Sequence, residues 1–147
     1  MNAASFLART WLALALAAAL PAAADIGQVK ARKGQVAVER QGQLLPAEVG
    51  MALKAADTLK TGADGAVGIT MRDNSLLSMG PNSILSLQRF EFDATTHQGR
   101  FDAQLQRGTL AVVSGRIAKQ SPQSMTVRTP SAQLGVRGTD FVVTTGD

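Results

Sequence analysis

Few residues in this chain could carry out chemistry. His97 is the only histidine, set in "TTHQGR", and an imidazole near its ordinary pKa can act as a general base. Asp64, Asp73 and Asp140 lie beside glycines or turn residues and could offer oxygens to calcium. Arg137 and Asp140, within "QLGVRGTDFVV", could pair across a bend and hold a ligand. None of these patterns closes into a site. His97 stands in a polar, turn-like stretch, where a solvated loop histidine is the plainer reading. The aspartates lack the D-x-D-x-D spacing of a calcium loop, so turn formation is their default role. H-E-x-x-H, P-loop and Gly-x-Ser-x-Gly patterns are absent. With no cysteine, disulfides, thiolate nucleophiles and thiolate metal sites are excluded together. The expectation is a protein that is not an enzyme, with no catalytic residue, no metal and no cofactor; a metal-dependent hydrolase ranks last.

The first segment reads as an address. Arg9 is the only charge before the apolar run "WLALALAAALPAAA", and the first acidic residue is Asp25. The run falls short of the ~20 residues needed to span a hydrocarbon core as helix, and Pro21 interrupts it. Ala22 and Ala24 supply the small-x-small pattern that a signal peptidase cuts. Residues 1–24 are therefore expected to be a helical signal peptide cleaved after Ala24, with the protein exported to the periplasm and no transmembrane span left. Losing Arg9 lowers the formal charge of +4 by one, and the remaining charges are interspersed. That mild field, with no aromatic residues interleaved with the basic ones as a stacking platform, opposes nucleic acid as a partner.

The elements after the leader alternate. "QVAVER" puts Val36 and Val38 on one face, "AVGITMR" does the same with Val67, Ile69 and Met71, and "RFDAQLQ" with Phe101, Ala103 and Leu105. Period two over several residues marks strands with one buried face. "ADG", "DNS", "GPN", "HQG", "RG" and "SG" fall between the runs as reversal signals. The fold class expected is all-β: a sandwich, roll or short β-solenoid of roughly 8–11 short strands in one domain, residues 25–147. A weak echo, Asn74-Ser75-Leu76-Leu77-Ser78 and Asn82-Ser83-Ile84-Leu85-Ser86, fits either two rungs of a β-coil or two similar hairpin strands. Parity points Phe101 and Phe141 inward, and Phe90 and Phe92, around Glu91, are read as core.

Near the C-terminus the alternation changes phase. Leu134 and Val136 share one parity, Phe141 and Val143 the other, so a single strand needs an extra residue to keep all four inside. A bulge at Arg137-Gly138 would supply it, since glycine accepts left-handed backbone at no Cβ cost. Thr129-Pro130 suits a kink before the strand. Arg137 is then expected to pin main chain, with ligand binding as the other reading.

"TPSAQLGVRGTDFVV", preceded by "GRIAKQSPQSMTVR" and "TGADGAVGITMRDNSLLSMGPNSILSL", resembles the FecR-like domain family from about Gly34 onward. Thr129, Pro130, Gly135, Arg137, Gly138, Thr139 and Phe141 fall on its signature, and Asp140, which lies between the last two, completes the candidate motif. The resemblance implies a β-rich extracytoplasmic domain; the founding regulator sits outside the inner membrane, hears an outer-membrane transporter and controls a sigma factor. This chain departs from that pattern in two ways: it shows no cytoplasmic segment or membrane-spanning helix, and it stops at Asp147, where similar domains add closing strands. An open sheet edge is the expected consequence. The expected function is a non-catalytic secreted binding module engaging a protein or cell-envelope component, possible in signal transduction. The alternative is a structural envelope protein that self-associates through that edge.

Overall fold

Fifteen consecutive residues form the spine of the molecule. The computed structural model describes residues 24–136 and 140–146, and in it Gly99–Val113 is one long strand, β9. Antiparallel along one side of it run β7 (Leu76–Met79) and β8 (Ile84–Phe92), end to end, with Leu77 opposite Val112 and Leu85 opposite Leu105. On its other side β10 (Met125–Arg128) lies parallel to the first part and β12 (Asp140–Thr145) antiparallel to the second.

The remaining strands extend this spine in two directions. From β8 the order continues through β5 (Thr58–Thr61) and β2 (Val36–Arg40) to β3 (Gln43–Pro46). From β7 it continues through β6 (Ala66–Met71) and β1 (Asp25–Lys33) to β4 (Ala52–Lys54), while β11 (Gln133–Gly135) pairs with β10. The whole is one curled, mostly antiparallel sheet, so the roll is the expected architecture that forms. Twelve strands are described, a few more than period two suggested, because ladders as short as Ala52–Lys54 and Gln133–Gly135 show no alternation to read. Inner side chains from both halves make one core, with Phe101 wholly buried and edge-on to Phe90 at 5.3 Å between ring centroids.

The alternating runs sit where their period puts them. Val36 and Val38, then Val67, Ile69 and Met71, then Phe101, Ala103 and Leu105 are all buried. Each of these except Ala103 contributes on the order of 1.5–3 kcal/mol by leaving water. The expected reversal at Arg107-Gly108 does not occur. Gly108 takes a φ of +92° inside β9, and the register against β8 slips there, so the strand bends and continues. A bend with this backbone is a bulge, which glycine adopts without the Cβ clash.

The echoed segments are not stacked rungs but two similar hairpin strands, β7 antiparallel to β6 and β8 antiparallel to β9. Both lie on the same side of β9, one after the other. Asn74 and Asn82 each take positive φ, Ser75 and Ser83 are fully buried, and Leu77 and Leu85 enter the core two residues later. Ala56, Asp57 and Leu59 repeat the arrangement, with Ala56 at φ +70° and Asp57 fully buried.

A parallel strand pair needs a crossover of about a dozen residues. Residues 114–124 provide it between β9 and β10, using the short helix α1 (Arg116–Gln120) and a 3-10 turn at Pro122–Ser124. Asp73 anchors this crossover. Its carboxylate accepts from Ser75 N at 3.0 Å, Ser75 Oγ at 2.8 Å and Ile117 N at 3.2 Å, and Ser75 Oγ in turn accepts from Gly115 N at 3.0 Å.

Candidate functional site

The sequence-derived candidates separate in space. Thr129 and Pro130 belong to the turn between β10 and β11, where Thr129 N donates to Ala132 O at 2.8 Å. Gly135 ends β11, on the β10 side of the sheet. Asp140 opens β12, exposed and opposite Val113, and Phe141 is half-buried against the core opposite Val112. Arg137, Gly138 and Thr139 lie outside the described residues, as do residues 1–23 of the expected leader. The expected single bulged strand is two strands on different ladders: β11 pairs with β10, β12 with β9. The phase change thus accompanies a change of partner. Val136 and Val143 are buried, whereas Leu134 stays exposed.

Among the described groups considered for chemistry, Asp64 and Asp73 accept backbone amides and His97 is stacked in a turn, whereas Asp140 stands exposed at the start of β12. Asp64 accepts from Gln35 N at 3.1 Å. Asp93 accepts from Thr95 N at 2.8 Å and Thr96 N at 3.1 Å, and these amides, that of Thr96 foremost, hold its carboxyl below the ordinary value. His97 stacks on Phe92 at 6.1 Å, closing the same turn. Asp25 is lowered by the hydrogen bond and charge of Lys54, 2.8 Å away. Arg40 and Arg100 are raised, chiefly by hydrogen bonds to Asp57 and Asp102. No group of three metal-ligating side chains occurs among the described residues.

The two outer faces of the roll differ in character. On the β8–β5–β2 side, Glu39 pairs with Lys60, Arg89 with Glu91, Arg100 with Asp102, and Gln88 donates to Gln104 at 2.8 Å. This is an ordinary solvated face. The outer face of β12, β9, β7 and β6 carries almost no charge. Register places Asp140, Val113, Leu76 and Thr70 in one cross-strand row and Val142, Ala111, Ser78 and Gly68 in the next. Thr144 lies opposite Thr109, their hydroxyls 3.4 Å apart. Val142 is 67% exposed, Leu76 46% and Val113 43%. Contiguous apolar side chains left open on a sheet face mark an interaction surface more often than isolated ones do.

A family model described as FecR protein matches residues 57–147, more than half of the chain. The chain belongs to the FecR family. No curated protein and no solved structure matches it. Proteins of the FecR family are envelope-associated and regulatory, and the family is generally non-enzymatic. Among the described residues, no helix of this FecR-family chain is long and apolar enough to cross a membrane.

All eight residues of the two rows lie inside the matched region. As a candidate site residue, the sequence pointed only to Asp140 among them. Leu76, Val113 and Val142 come from three strands far apart in the chain, and each alone is an unremarkable outward residue. Only the register across β9 makes them neighbours.

Proposed function

We propose that this FecR-family chain is an exported, non-catalytic regulatory module that docks a protein of the cell envelope on the uncharged face of β12, β9, β7 and β6. The observation that carries the reading is the contrast between the two outer faces: one is laced with ion pairs, the other presents Leu76, Val113 and Val142 beside hydroxyls and small side chains. Family membership supports a regulatory role, and carboxylates engaged by backbone amides or cations support the absence of catalysis. A photo-crosslinking side chain at position 142, compared with one at position 89 on the solvated face, tests this in envelope preparations. Adducts with a protein from position 142 alone are expected. Equal labelling from both positions, or none from 142, would overturn the proposal.

A further inference from the structure

The geometry points to a second copy of this chain as the occupant of the uncharged face, turned about a twofold axis that runs parallel to the strands between β9 and β7. This inference rests on reading that face as a docking surface and adds the identity of the partner. An isologous interface must be complementary to itself under the rotation. The rotation exchanges β12 with β6 and β9 with β7. Val142, the most exposed large apolar residue among those described, then comes over Gly68 of the second copy, at the far end of its own row. A projecting side chain meets a position that has none. Val113 comes over Leu76 of the second copy, joining the two other exposed apolar side chains of the face.

Charge is arranged to match. Every described carboxylate except Asp140 is engaged in an ion pair or accepts a backbone N–H. Asp140 stands at one end of its row, and Thr70 at the other, where it lines a cleft of about 480 Å³ with Lys30, Arg72 and Asp25, the last already paired with Lys54. Lys30 has no carboxylate partner among the described residues. The same rotation carries Asp140 towards that basic end of the second copy, twice per dimer. Opposite rim charges fix register and orientation when two faces meet.

Gly68 supplies a clean probe, because a Cβ there would meet only the Ala31 methyl carbon at 3.7 Å, an ordinary contact, so the monomer can accept a side chain. Light scattering and sedimentation equilibrium of the purified protein over a concentration series give the test. The wild-type protein is expected to dimerise. Gly68→Val and Val142→Lys should each weaken dimerisation at least tenfold, with the thermal melt of Gly68→Val showing an intact fold. Asp140→Lys and Lys30→Asp should each weaken it, and the double exchange should restore it. A wild-type monomer at all concentrations, a folded Gly68→Val that dimerises normally, or a double exchange that rescues nothing would overturn the inference. If the protein is monomeric while position 142 still crosslinks to a different envelope protein, the second copy is wrong and the docking surface stands. With neither, both fall.

Discussion

Ser83 fills the space in which a side chain on Gly108 would begin, with its Cα, Cβ and Oγ all inside contact distance of that position. The Ser83 hydroxyl also accepts from Thr109 N at 3.0 Å, so the bend in β9 and the start of β8 are one packed unit. Gly108→Ala must therefore combine left-handed backbone, about 1–2 kcal/mol for an ordinary residue, with a steric conflict. Urea unfolding should show a loss of roughly 2–4 kcal/mol. Gly68→Ala, at ordinary backbone angles and with room for a methyl, should change stability by less than about 0.5 kcal/mol. Similar losses for the two variants would mean that Gly108 has no special place in the bend.

Arg40 holds Asp57 through two nitrogens, Nε to Oδ1 at 2.8 Å and Nη2 to Oδ2 at 2.7 Å. The same carboxylate accepts from Lys54 N at 2.8 Å, tying β2 to the turn between β4 and β5. Asp57 is fully buried, so Asp57→Ala leaves a half-buried guanidinium and an amide without their acceptor. A cost of roughly 3 kcal/mol is expected, near the lower end for breaking a buried pair, because Arg40 keeps some access to water. Arg40→Met with Asp57→Ala should cost less than the sum of the single changes. Strict additivity in that double-mutant cycle would show that the pair does not act as a unit.

These two contacts mark the limit of what the sequence could reveal. The strands with clean alternation, such as Val67, Ile69 and Met71, were legible because their own neighbours announce the buried face. Arg107-Gly108 read as a reversal because a glycine in left-handed backbone serves a turn and a bulge equally well. Only the pairing of both flanks with β8 and β7 decides between them. Asp57 gave no turn signal at all, since Ala56 holds the positive φ that Asn74 and Asn82 hold in the parallel cases. The uncharged face was invisible for a related reason: it is a property of rows across strands, and sequence spacing describes only positions along them.

Asp73 should matter more for the crossover than for the sheet. All the donors that meet its carboxylate are N–H or O–H groups of Ser75 and Ile117. Asp73→Asn replaces one acceptor oxygen by a donor facing them, which should cost about 1–3 kcal/mol. Hydrogen exchange should quicken first at Gly115, Arg116 and Ile117, whose amides the Asp73–Ser75 cluster receives. Uniform acceleration across β6 and β7 instead would place Asp73 in the sheet's own stability. Because these donors occupy the carboxylate, added calcium should leave the melting temperature unchanged.

Acid should loosen the turn after β8 before it unfolds the roll. The folded protein holds the Asp93 carboxyl below its ordinary value through the amides of Thr96 and Thr95. A depressed folded-state pKa means the charged form is the one that folding favours. Its contribution is complete above the unfolded-state pKa and disappears as pH falls through the lower folded value. Asp25 behaves the same way through Lys54, but that pair is exposed and screened by salt, while the Asp93 contacts are local hydrogen bonds. In 0.5 M salt, roughly a 4 Å screening length, the acid response of Asp25 should shrink and that of Asp93 persist. Carboxyl carbon chemical shifts across an acid titration, with and without salt, separate the two. Equal salt sensitivity at both residues would show that the Asp93 shift comes from nearby charge and not from the amides that cap it.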